Sequence, residues 1–196
     1  MLNAGVWNVR GFNRQDHQRA VRDLISDHRL HFIGILETRV SPVNASRVQT
    51  FTFPQLKCFS DYSGPGTRIW VAWNEDELDV DILLVHAQLI HCKIFIRDSQ
   101  KVVFVTVVYG DNEVVPRREL WQELSLLPSS IVDDPWLVLG DFNAVMDMSE
   151  VCGTSGDIRL AMEDFCACII NAGLVSLPMQ GCSFTWHNCS EGHRSL

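Results

Sequence analysis

Long apolar runs are missing from this chain of 196 residues, and none approaches the roughly 18 that a membrane-spanning helix needs. The opening segment MLNAGVWNVRG has no basic stretch followed by an apolar block. No secretory signal is read there, so an intracellular protein with no membrane partner is expected. Cysteine occurs seven times, an odd count, and never as C-x-x-C. That pattern suggests neither a disulfide framework nor a zinc ribbon, and the cysteines read as small buried hydrophobes. Positive charge is also short, with 16 Lys and Arg against 24 Asp and Glu and a net charge of −8. Such a balance argues against a broad, non-specific grip on nucleic acid. It leaves room for a phosphoester enzyme, because carboxylates that bind a divalent cation make a chain acidic and the ion restores positive charge. Internal repeats, low-complexity tracts and a clear basic localisation cluster are absent as well.

What is present suits one globular domain over residues 1–196, with 46% hydrophobic residues to build a core. Val6–Val9 reads as a short strand. Asn13 is placed to cap a helix running to about Arg29, with Ala20, Val21, Leu24 and Ile25 on its apolar face. His31–Leu36 is an apolar strand. Four more strands (68–73, 78–85, 89–97 and 102–109) are joined by short polar turns, which predicts an antiparallel meander. Pro116 opens a helix through Leu127, and Arg117 and Arg118 read as surface residues of its first turn. Trp136–Gly140 is a strand. Ile158, Met162, Phe165 and Ile169 make the stripe of a third helix that Gly173 stops, and Ser183–Trp186 is a last strand. Strands with three helices, and meanders rather than strict alternation, predict an α+β fold of two packed sheets with helices outside them. The tryptophans, most of them inside apolar strands, read as core.

The chemistry gathers at strand ends. VWN ends in Asn8, FIGILE in Glu37, VFVTVVY in Tyr109, and WLVLGD in Asp141, with Asn143 two residues later. A single Asn or Asp after a strand is ordinarily a turn residue. Five polar groups in such places, including a Glu that is no favoured turn former, suggest one cleft at a sheet edge. Two carboxylates, two carboxamides and a phenol make an oxygen-rich site suited to a hard cation such as Mg²⁺.

WNVRG at 7–11, LETR at 36–39, VYG at 108–110 and GDFN at 140–143 resemble, in order and approximate spacing, the successive motifs of the endonuclease/exonuclease/phosphatase superfamily. The resemblance covers essentially the whole chain. Its finer match is to the N-terminal endonuclease domain of LINE-type (non-LTR) retrotransposon proteins, particularly those of plants. That match rests on WNVRG, LETR, the segment around GDFNAV, and GCSFTWHN at 181–188. The resemblance implies a four-layered α/β sandwich of two mostly antiparallel sheets flanked by helices, and a phosphodiesterase dependent on Mg²⁺, or on Mn²⁺ in its place. It implies Glu37 as metal ligand and Asn8 as support for metal and phosphate. It implies further that Tyr109 contacts the scissile phosphate, Asp141 positions or activates the water, and Asn143 orients the phosphate. Thr185 resembles a hydroxyl position near the site. DNA is the implied substrate, nuclear the implied place of action, and a reverse transcriptase region the implied companion in a parent polyprotein.

Members of the family carry two later motifs, an Asp in an LDR- or IDH-like stretch and a terminal Asp-His pair. The sequence given stops at EGHRSL, before both. The expectation is therefore a domain lacking its last strands, with weak or absent activity. None of His17, His28, His31, His86, His91, His187 and His193 reads as a substitute for the missing His. Two alternatives stay open: another phosphoesterase of the superfamily (exonuclease, deadenylase or inositol-phosphate phosphatase), or a catalytically dead remnant acting as an interaction module.

Overall fold

The computed structural model describes residues 1–60, 68–131, 133–151 and 158–181. The expected strand at Ser183–Trp186, with Thr185, Trp186, His187 and His193, lies outside the described residues. The chain divides into two compact units, Met1–Gly110 with Asp133–Asp141, and Asp111–Val132 with Phe142–Leu196.

Among the described residues the first unit holds eight strands: β1 (Ala4–Asn8), β2 (Phe32–Leu36), β3 (Lys57–Ser60), β4 (Ile69–Trp73), β5 (Leu78–His86), β6 (Leu89–Ile96), β7 (Lys101–Tyr109) and β8 (Trp136–Asp141). They form two four-stranded sheets, ordered β1-β2-β4-β3 and β5-β6-β7-β8. In each sheet one terminal pair is parallel, β1 with β2 and β7 with β8, and the other pairs are antiparallel. The α+β sandwich expected from the sequence is what the chain adopts.

Period-two alternation sends one face of each sheet into a shared core. Phe32, Leu36, Ile69, Val71 and Trp73 from one sheet meet Ile90, Cys92, Ile94, Val105, Val107 and Tyr109 from the other. Gly34 lets the sheets close, because a Cβ there would meet the Val107 side chain at 2.6 Å. The opposite face of the first sheet carries Ile33, Ile35, Trp70 and Ala72, and two helices cover it. These are α1 (Gln15–His28) and α2 (Pro42–Thr52), which contribute Val21 and Ala45 with Val48.

The predicted four-strand meander is a correction. β4 leaves it and runs between β2 and β3 in the other sheet. Its five residues are all buried, as a central strand covered on both faces requires, whereas β5 alternates as a half-solvated strand does. Helix α2 and strand β3 were not expected. Pro42 starts α2 well, but its sequence PVNASRVQTFT has a weak apolar stripe. Asn13 does not cap α1. Arg14 holds the cap position, and the Asn13 amide donates instead to the Arg39 carbonyl at 2.8 Å. Trp7 is also no core residue: on edge strand β1 it stands on the face opposite Val6, 38% exposed.

The second unit contains α3 (Val114–Leu126) and α4 (Arg159–Asn171). Trp121 stacks on Phe165 with ring centroids 4.9 Å apart, and Phe142 completes the cluster at 5.0 Å from Phe165. Gly173, at φ +65°, ends α4 as expected. Its N–H reaches the Ile170 carbonyl and the Leu174 N–H reaches Ile169, the paired bonds of a left-handed helix stop. The exposed reading of Arg117 is overturned. The residue is 5% exposed, and its Nη1 donates to the backbone carbonyls of Asp111, at 2.9 Å, and of Asn143. Arg118 does lie on the surface, paired with Asp164.

Candidate active site

Asn8 ends β1, Tyr109 ends β7 and Asp141 ends β8. By alternation each belongs to the face that supplies the inter-sheet core: Asn8 follows Ala4 and Val6, Tyr109 follows Val105 and Val107, and Asp141 follows Leu137 and Leu139. Glu37 is the residue after β2, whose Leu36 pairs in register with Asn8. Asn8, Tyr109 and Asp141 therefore form the polar lip of an apolar core, at the carboxyl ends of two parallel strand pairs, and Glu37 joins them close enough to act on the Tyr109 phenol.

Hydrogen bonds tie the lip together. The Asn8 amide Nδ2 donates to Asp141 Oδ2 at 3.0 Å, and its Oδ1 accepts the Arg10 N–H at 3.2 Å. Those two bonds fix which way the carboxamide faces. Tyr109 is the register partner of Asp141. The Arg68 guanidinium sits over the Tyr109 ring, 5.6 Å from its centroid. Burial pushes the Tyr109 phenol above its ordinary value, and the nearby Glu37 and Asp141 carboxylates push the same way, against Arg68 and Arg39. A phenol so placed stays protonated at neutral pH and can donate a hydrogen bond.

Gly140 is demanded by this geometry. Its φ is +151°, and a Cβ would fall 2.0 Å from the Val108 carbonyl oxygen. No other residue lets β8 approach β7 so closely while delivering Asp141 to the lip.

The two loops carrying WNVRG and LETR are zipped to each other. Val9 N–H donates to Leu36 O at 3.2 Å, Gly11 to Glu37 O at 2.8 Å and Phe12 to Thr38 O at 2.7 Å. The Asn13 amide extends the series to Arg39 O. Phe12, fully buried, anchors the zipper edge-on against Trp70 at 5.9 Å. Such aromatic pairs contribute about 0.5–1.5 kcal/mol beyond their area.

Backbone strain concentrates in the same segments. Arg10, Glu37, Arg39 and Asn143 all have positive φ, between +47° and +56°. For non-glycine residues this costs roughly 1 kcal/mol each and is held only where surrounding structure enforces it. Glu37 pairs with Arg39, and its side chain is only 12% exposed against 65% for Arg39. Asn143 follows Asp141 by two residues but belongs to the second unit, where Arg117 grips its carbonyl. Arg117 and the Glu37–Arg39 pair escaped the sequence reading. A guanidinium two residues after an apolar Val-Val pair gives no sign of burial, and a left-handed Glu gives none at all.

Among the described residues, no group of three His, Cys, Asp or Glu side chains could hold a metal ion. The donor chemistry nonetheless suits Mg²⁺, which takes one or two carboxylates and keeps several waters. Glu37 and the amide oxygen of Asn8 are hard donors of that kind.

The chain belongs to the endonuclease/exonuclease/phosphatase family, whose sequence model spans residues 5–193. Enzymes of this family hydrolyse phosphate esters and generally use divalent metal ions. No curated protein shows a significant match. Among solved structures, the chain is similar to the endonuclease domain of TRAS1, a telomere-specific non-LTR retrotransposon. That match has a TM-score of 0.60 at 14% identity and covers 83% of this chain and 70% of the other. It is similar to TDP2 of D. rerio complexed with single strand DNA product, with TM-score 0.57, 13% identity and coverage of 89% and 66%. A mannosyl-6-phosphatase of Bacteroides thetaiotaomicron also matches, with TM-score 0.52, 14% identity and coverage of 85% and 70%. At these identities the likeness is one of fold, and the chain spans 66% to 70% of those proteins' lengths. Among the described residues no helix is long and apolar enough to cross a membrane.

Proposed function

We propose that the chain carries the site of a divalent-metal-dependent phosphodiesterase that nicks DNA, as the endonuclease of a LINE-type retroelement does. The observation that carries the chemistry is the 3.0 Å bond from Asn8 to Asp141, at a lip shared with Glu37 and Tyr109. In this reading Glu37 and Asn8 hold Mg²⁺ or Mn²⁺, which when bound supplies positive charge to the phosphoryl oxygens. Asp141, aimed by Asn8, accepts a hydrogen bond from the attacking water and aligns it. Tyr109 donates its O–H to a non-bridging phosphate oxygen, as burial keeps it protonated. Arg68, over the Tyr109 ring, adds positive charge where a phosphate would lie. Asn143 orients the phosphate, with Arg117 fixing its backbone. Thr185 takes a supporting role.

DNA as the substrate rests on the LINE-type motifs WNVRG, LETR and GDFNAV, with support from the fold shared with the TRAS1 domain. Action in the nucleus and a reverse transcriptase in the same polyprotein follow from that reading. The sugar-phosphatase fold match keeps a second reading in view, hydrolysis of a small phosphomonoester.

A supercoiled-plasmid nicking assay in Mg²⁺ decides between them. It compares the 196-residue chain with one extended through the Asp and Asp-His motifs of a LINE-type relative. The expected outcome is conversion to nicked circle by the extended chain, lost in Glu37→Ala. Release of phosphate from a sugar phosphate, with plasmid left intact, would replace the DNA reading by the phosphatase one.

A further inference from the structure

We infer that Arg39 is a positioning residue that holds the Glu37 carboxylate in place of a divalent cation and competes with that cation for it. The inference rests on the reading of Glu37 as a metal ligand. Three observations carry it.

First, Thr38 between the two residues is buried and pinned on both sides. Its N–H donates to the Arg68 carbonyl at 3.3 Å, and its carbonyl accepts from Phe12 at 2.7 Å. Second, Glu37 and Arg39 are both left-handed, at φ +56° and +51°. Across the fixed Thr38 the two residues bring their side chains together as an ion pair. Third, the Glu37 carboxylate is nearly enclosed while the Arg39 side chain is largely exposed, and the guanidinium reaches back to Glu37 Oε1.

A carboxylate at the rim of an apolar core, near a second carboxylate at Asp141, needs a counter-charge when no cation is bound. Arg39 provides it from a solvated side chain, where an ion pair is weak and easily exchanged. A divalent ion arriving at Glu37 meets both an occupied oxygen and a like charge. Arg39 must then swing away, toward the solvent from which a phosphate would come.

The sign of one measurement separates this role from simple bracing of the loop. Mn²⁺ binding is measured by electron paramagnetic resonance and calorimetry on the native chain, Arg39→Gln, Arg39→Lys and Glu37→Gln. Arg39→Gln should bind Mn²⁺ about threefold to tenfold more tightly, as a competing charge is removed. Arg39→Lys should stay close to the native value, and Glu37→Gln should lose the site. Raising the salt concentration should narrow the gap between the native chain and Arg39→Gln. If Arg39→Gln binds equally or more weakly while binding still needs Glu37, the competition is overturned and the metal reading stands. If no variant binds Mn²⁺, both fall together.

Discussion

Asn8 and Asp141 lie 133 positions apart in the chain, yet the Asn8 amide donates to the Asp141 carboxylate at 3.0 Å. The bond crosses from an edge strand of one sheet to an edge strand of the other. It holds Asp141 Oδ2 in a fixed direction relative to β1. Asn8→Ala removes the guide without removing the carboxylate. Loss of a preorganised polar contact of this kind costs about 10²-fold in turnover. The expected outcome, read by plasmid-nicking kinetics on the extended chain, is a fall of roughly that size with KM for DNA little changed. Stability should drop by only about 1 kcal/mol, because Asn8 is half-buried.

Gly140→Ala tests the strand geometry that delivers Asp141. The added Cβ would sit 2.0 Å from a backbone oxygen of β7, which has no rotamer to move away. The parallel pairing of β7 with β8 must open, or the backbone at 140 must change region. A loss of more than about 3 kcal/mol is expected. In a chain of this size that lowers the melting temperature by about 6–12 °C. Calorimetry showing a shift under 2 °C would contradict the assignment of Gly140 as a required glycine.

The strand ends were legible because apolar runs that stop on one polar residue can be counted without knowing the fold. The period of two then places Asn8, Tyr109 and Asp141 on the core-facing side at that end. Which sheet a strand joins was not legible. β4 and β5 are separated by the short turn NEDE, which reads as a hairpin, but the turn carries the chain from one sheet to the other. The signal lay in composition: IWVAW is apolar without alternation, as a doubly covered strand is. Helix α2 hid behind β-branched and polar residues, its stability coming from Ala45 and Val48 against the sheet rather than from propensity. The left-handed backbone at Glu37 and Arg39 has no sequence mark, since the bonds that hold the Glu37, Thr38 and Arg39 carbonyls come from the distant segment Gly11–Asn13.

Arg117 is a buried cation of the second unit, and burial holds its guanidinium below the usual value, with the Asp111 and Asp164 carboxylates opposing that shift. It satisfies two backbone carbonyls, one of them Asn143. Arg117→Met keeps the length and removes the donor of both bonds. A loss of about 2–4 kcal/mol is expected from urea unfolding. Arg117→Lys should recover less than half of it, because the Lys nitrogen ends one bond short of the Nη1 that donates both bonds. If Asn143 positions phosphate, both variants should also raise KM for DNA.

The acid side of the stability profile should be governed by His91. Its ring is buried, lies parallel to Phe104 with centroids 5.6 Å apart, and bonds Thr106 Oγ1 through Nδ1 at 2.8 Å. Thr106 also accepts from Trp136 Nε1, and His91 Nε2 has no hydrogen-bond partner among the described residues. Burial pushes the imidazole below its ordinary value. In the unfolded chain His91 takes up a proton near pH 6.5, whereas the folded chain resists until lower pH. Between those two values the unfolded state binds more protons, so stability falls as pH falls. Above about pH 6.5 the residue is neutral in both states and adds no slope. Urea midpoints for the native chain should therefore drop between pH 6.5 and pH 5. His91→Gln, which cannot titrate and retains a polar group near Thr106, should show a shallower drop over the same interval while being less stable at pH 7.5. Parallel profiles for the two proteins would mean that another group controls the acid limb.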